Sequence, residues 1–478
     1  MNSKRQVTRF RLLIALSTLF AVTGCGSQSS PPASLSESPS APTGVTARIF
    51  VGNEDGTVSV IDHGDNGNTV SQTLPTGSGS IGDLVASEHN HIFVNATDNN
   101  LVAALDPIGE TVTHKKNIAV GSRPVHAFVD PTDRNKIWVM NDGNATSGPC
   151  LTAAPDGGAT SSVTVIQNHG EGGDDHGSTG SAGEVLATIC VGRGHHKAAF
   201  SFPSDAVPTT PQKTFVSNIS DGTVSVIDNN PASATYLQLL GTVDLCDPAK
   251  KAGGCDADLA TSSSAVPHGI DFSPLTGKIY NANVGYGTVS VIDSTDNTHT
   301  VETAIDISFA NKAHVSPDGQ FLIVKGTDTA SDPNHVIGKL TVIRLSDHLV
   351  TSINLPDVHP DSFEFTPDGN KLYVVSATTG SDAQKANLKN GVVLAFDSSA
   401  LPALPTPTEI AVGVADADHR ALAIHEHDGE AEIVIVPNPA NDTVSIIDVA
   451  TDTVVDTILV GDEPGAVLVF SFEGDLSH

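Results

Sequence analysis

The sequence predicts an all-β protein, a β-propeller of eight four-stranded blades, with seven blades as the alternative. Three observations carry that expectation. The phrase DGTVSVID (55–62) returns as NNLVAALD (99–106), SSVTVIQ (161–167), DGTVSVID (221–228), GTVSVID (287–293), GKLTVIR (338–344), GVVLAFD (391–397) and NDTVSIID (441–448). Each copy is preceded by another apolar strand, from ARIFVG (47–52) through KIWVMN and KLYVVS to EIVIVP (432–437), and most are followed by further strands such as TVVDTILVG (453–461). Short β-branched strands with Gly, Asn and Asp turns, repeated at this period, are the pattern of blades. Finally, AVLVFSF (466–472) has no blade of its own unless it pairs with 47–52. That pairing would close the ring and remove its open edges.

Ahead of the repeats lies a different kind of segment. Residues 1–24 carry Lys4, Arg5, Arg9 and Arg11 and no acid, followed by the apolar run Leu12 to Val22. Such a run is too short for a membrane span of about 20 residues but fits the core of a signal peptide. It ends Val22-Thr23-Gly24-Cys25, which resembles the bacterial lipoprotein signal; the resemblance implies lipidation of Cys25. A plain secretory signal with a chance Cys is the alternative. Residues 25–44 read as a Ser/Pro tether, 45–473 as the propeller and 474–478 as a tail. The lipid would be the sole contact with a membrane, which implies an anchored protein on the periplasmic or extracellular face of a bacterial envelope.

With 24 Lys+Arg against 55 Asp+Glu, the formal charge is −31. Charge of that sign repels phosphate and excludes nucleic acid as the expected partner, while favouring cations. Four further cysteines, an even number in an exported chain, read as disulfides. Cys246 and Cys255 bracket one short loop and form the first expected pair; Cys150–Cys190 follows by elimination. A Cys-based zinc site is the rival, but C-x8-C lacks its usual short spacing.

Histidines recur where the innermost strand of a blade is entered: His126 in RPVHAF, His195 and His196 in GRGHHKAAF, His268 in VPHGIDF, His359 in DVHPDSF and His419 in ADADHRAL. Asp83, Asp357, Asp361, Asp416 and Asp418 share that position. Neutral imidazoles with a carboxylate suit zinc, with copper as the alternative, at about 2.0–2.2 Å. His126, His196 and His268 come from consecutive blades and are expected to converge, with His195 or a nearby Asp as fourth ligand or supporting partner. His359 and His419 lie further round and are secondary. The plain alternative is that each His merely lines a wet channel. The loop NHGEGGDDHGSTGSAG (168–183), holding His169, Glu171, Asp174, Asp175 and His176, suits weak, fast-exchanging metal on the opposite face. IHEHDG (424–429) adds a fainter signal, His425 and His427, on that same face.

The repeats resemble the YVTN family of bacterial β-propellers, which speaks for fold and almost not at all for function. A more local resemblance is to the AztD-type periplasmic zinc chaperones, in which Pro-x-His-Phe, His-His-Gly and Leu-His-Gly turns follow one another. This chain has Pro124-Val125-His126-Ala127-Phe128, His195-His196-Lys197 and Pro267-His268-Gly269 in that order. The resemblance implies zinc binding and delivery to the solute-binding protein of a metal transporter, or to another envelope protein. Lys197 stands where Gly is expected, and the His/acid loop follows the first His turn rather than preceding it. A non-enzymatic scaffold for protein partners is the alternative function. Catalysis stays open but unsupported: there is no C-x-x-C-H for haem and no G-x-S-x-G.

Overall fold

Each copy of the repeated phrase forms the third strand, counted outward from the axis, of a four-stranded antiparallel sheet. The structure is a computed structural model that describes residues 41–77, 79–169, 182–295, 297–427 and 430–472. The leader 1–24, Cys25, most of the tether, Glu171, Asp174, Asp175, His176 and the tail 474–478 lie outside them. Among the described residues there are eight sheets arranged as blades, not seven. No described helix is long and apolar enough to cross a membrane.

Why these residues make blades follows from what each strand faces. Thr223–Asp228 is buried at every position because both faces pack on neighbouring sheets. Thr453–Leu459, an outermost strand, instead alternates exposed and half-buried residues. Between the fourth and fifth blades Phe215, Val226, Ile270, Phe272 and Ile279 form one apolar cluster. Burying each such side chain is worth roughly 1.5–3 kcal/mol.

The wording of the phrase has a second cause. At the end of the strand before it stands an Asn whose Nδ2 donates to the phrase's Thr and Ser hydroxyls. Asn218 reaches Thr223 Oγ1 and Ser225 Oγ, both at 3.0 Å. Asn53 does the same to Thr57 and Ser59, Asn283 to Thr288 and Ser290, and Asn438 to Thr443 and Ser445. The clamp holds the turn on which the phrase begins, while its Val and Ile residues pack. At Gly461 a side chain is excluded, because a Cβ there would come within 2.4 Å of Asn53 Nδ2.

The ring closes as expected. Ala466–Ser471 pairs antiparallel with Val45–Gly52, matching Ala47 with Ser471 and Val51 with Val467. Phe470 is thereby fully buried. One boundary moves: residues 41–44, expected to be tether, belong to the fold. Pro42 is buried and Ala41 packs on the cluster that contains Phe50 and Phe470. Both disulfides, Cys150–Cys190 and Cys246–Cys255, are present.

Candidate metal centre

The first strands of neighbouring blades pack together and line the axis. His126 lies in Pro124–Asp130 of the third blade, and His195 and His196 just precede Ala198–Ser201 of the fourth. His268 lies in Pro267–Ser273 of the fifth. His126, His195 and His268 open onto a cavity of about 520 Å³ at the channel mouth, which Asp83, Asp142 and Lys197 also line.

His195 is the centre of this group. Its ring meets His126 edge-on at 4.8 Å and stacks on His268 at 4.9 Å. His126 Nε2 and His195 Nε2 face each other at 3.2 Å. Two nitrogens bound to one zinc at about 2.0–2.1 Å lie roughly 3.3–3.5 Å apart in a tetrahedron, so this pair already has near-ligand spacing. His195 Nδ1 is 2.7 Å from Asp142 Oδ2. A carboxylate only accepts, so the ring proton sits on Nδ1 and the Nε2 lone pair is left for the cavity. His126 Nδ1 lies 3.3 Å from Asp83 Oδ2 and 3.1 Å from Lys197 Nζ. Donation to Asp83 would free a second Nε2 lone pair; acceptance from Lys197 would put a proton between the two rings instead. His268 Nδ1 is buried with no hydrogen-bond partner among the described residues. The near-ligand spacing of the two Nε2 atoms and an orphaned imidazole nitrogen beside them suit a borderline cation.

The expected roles of the adjacent pair are exchanged. His196 does not join His126 and His268: its Nδ1 is 3.0 Å from Asp142 Oδ1 and its Nε2 is 2.9 Å from the Gly192 carbonyl. Both nitrogens are claimed by acceptors and the ring is fully buried. His359 is turned to Thr327 Oγ1 at 2.8 Å, away from the trio. His419 is exposed and 3.6 Å from Asp361. His169, on the other face, meets Glu184 at 3.3 Å. The mouth trio also stops short of a closed cage. Among the described residues, ligand atoms from three such side chains come mutually within 4.8 Å only at His63, His425 and Glu432.

The electrostatics favour the neutral form of His126 and His268. Burial, then Lys197 and His195, push His126 well below its ordinary value. Burial, then His195, brings His268 down to about 2. Burial acts upward on Asp142, but its bonds with His195 and His196 prevail and hold it below the usual carboxylate range. Lys197, buried and near Lys312, comes down to about 8. The histidine that sequence reasoning missed is His314, in Lys312–Val315 of the sixth blade. It lies between Asp271 at 3.0 Å and Glu364 at 3.3 Å. Against the cost of burial, Glu364 and Asp271 raise it to about 10. It is a fixed cation rather than a ligand. In the sequence its phrase, HVSPDG (314–319), carries only the signal of a strand and a turn.

The sequence matches no family model and no curated protein. Solved structures do match. AztD from Citrobacter koseri is 14% identical, with 89% of this chain and 98% of that one covered and a TM-score of 0.54. Sqt1 from Saccharomyces cerevisiae is 14% identical over 82% of this chain and 92% of its own, at 0.55. Dihydro-heme d1 dehydrogenase NirN is 12% identical over 92% and 78%, at 0.56. At such identities the likeness is one of architecture: the chain is similar in fold to AztD and to these other proteins.

Proposed function

We propose that the protein binds a divalent transition metal, zinc first and copper as the alternative, at the channel mouth, and acts in metal binding or delivery at the cell envelope. The observation that carries this is the facing of His126 Nε2 and His195 Nε2 at 3.2 Å, with a carboxylate behind each ring and the orphaned His268 Nδ1 beside them. The sequence resemblance to AztD-type chaperones and the matching fold support the same reading. Two disulfides suit an oxidising compartment outside the cytoplasm. Within the reading His126 and His195 are ligands, His268 is drawn in as a third, and Asp83 and Asp142 orient the rings. His169, Asp174, Asp175 and His176 would hold metal weakly, and Cys25 would carry the lipid. A solute-binding protein of a metal transporter, or another envelope protein, is the expected recipient.

Calorimetry with the full chain tests it. The channel mouth should contribute about one high-affinity zinc equivalent, so the His126→Ala/His195→Ala/His268→Ala variant should bind one equivalent fewer than the parent while staying folded. Unchanged stoichiometry in that variant overturns the proposal. The scaffold reading, supported by the disulfide-tied loops at 143–160 and 246–263, would then stand first.

A further inference from the structure

We propose that His63, His425 and Glu432 form a second, separate site for a zinc-type dication, on the face opposite the channel mouth, at the seam where the ring closes. Their ligand atoms lie within 4.8 Å of one another. His63 ends Thr57–Gly64 of the first blade; His425 and Glu432 lie in Ala423–His427 and Glu430–Asn438 of the eighth. An ion held by all three would therefore join the first blade to the last.

The chemistry of the donors fits. Two imidazoles and one carboxylate are the ligand set of a zinc site that keeps its fourth position open. The rings of His63 and His425 stand edge-to-face at 5.8 Å. His425 Nε2 is 3.8 Å from Glu432 Oε2. Zinc ligands lie roughly 3.3–3.5 Å apart, so a small rotation of the exposed Glu432 closes the set. A relay across the seam also prepares His63. Asp456 Oδ2 accepts from Asn68 Nδ2 at 3.0 Å, which fixes the direction of the Asn68 amide. Its Oδ1 then faces His63 Nδ1 at 2.7 Å. An amide oxygen only accepts, so the neutral His63 ring carries its proton on Nδ1 and presents Nε2 as a lone pair. This is the same device that Asp142 supplies to His195, built from different residues.

Zinc titration of the full chain, with metal stoichiometry and the thermal unfolding midpoint both read, tests the site independently of the channel mouth. The His126→Ala/His195→Ala/His268→Ala variant should still bind one equivalent, and zinc should raise its midpoint, because ions that bind only the folded state stabilise it. Adding His63→Ala should abolish both. Asn68→Ala should weaken binding by about 10–100-fold while the apo midpoint stays near the parent's. In the otherwise unaltered chain His63→Ala should lower the stoichiometry by one, so the result does not depend on the triple variant folding. Glu432→Gln, at an exposed position, gives the same readout without touching either ring. Unchanged stoichiometry and zinc-induced shift in His63→Ala and Glu432→Gln would overturn the site.

Discussion

Asp142 decides which of two neighbouring imidazoles faces the channel. Its Oδ2 takes His195 and its Oδ1 takes His196, so one ring is aimed at His126 while the other is pinned into the wall. Asp142→Asn removes the charge that holds the His195 proton on Nδ1, and zinc affinity should fall about 10–100-fold by calorimetry. Lys197 supplies a sharper test, since its ammonium lies 3.1 Å from His126 Nδ1. A cation there opposes a divalent ion, so Lys197→Met should tighten zinc binding. Weaker binding in that variant would mean that Lys197 holds the His126 ring in place rather than repelling the ion. The position of the site was legible in the sequence, because His recurs where first strands are entered. The choice between His195 and His196 was not. It is made by a carboxylate in Asn141-Asp142-Gly143, which reads locally as nothing more than a turn.

The same division holds for whole strands. Repetition of TVSVID pointed to eight blades with seven as the alternative, and the unpaired strand at 466–472 was enough to foresee closure. The Asn at the end of the preceding strand carried no such signal, because Asn is expected near any turn. Only the folded hairpin shows that its amide serves the two hydroxyls of the next strand. Asn218→Ala would leave Thr223 and Ser225, both buried, without that donor. A loss of about 1–3 kcal/mol in urea unfolding is expected, and a change within error would demote the clamp to ornament. Deleting residues 464–478 should cost more than any single clamp, because it opens strand edges in the first blade and unpacks Phe470. The expected sign is a broadened, less cooperative transition; an unaltered one would count against closure as a source of stability.

Across the whole molecule, buried imidazoles set the response to acid. His126 and His268 are pushed low by burial, and His359 comes down to about 4 for the same first reason, with Lys325 second. In the unfolded chain each takes a proton near 6.5. Between pH 6.5 and about 4 the unfolded state therefore holds more protons, and stability should fall with falling pH. Each His contributes a slope of about 1.4 kcal/mol per pH unit. His314, raised to about 10, works the other way: its contribution is complete below 6.5 and is lost as pH climbs toward 10. Urea midpoints in chelator at pH 6.5, 5.5 and 4.5 should decline in step, and His268→Gln should flatten the decline. A profile level across that range would contradict the neutral assignment. The pairing of Ala47 with Ser471 has a consequence in time as well as in energy. During synthesis the first blade emerges early yet lacks its innermost strand until residues 466–471 have left the ribosome. The seven intervening blades can form in the order in which they are made, but the circle is completed only after translation of its last strand. Until then the nascent chain presents an unfilled strand position, which a chaperone or a second copy of the protein could occupy.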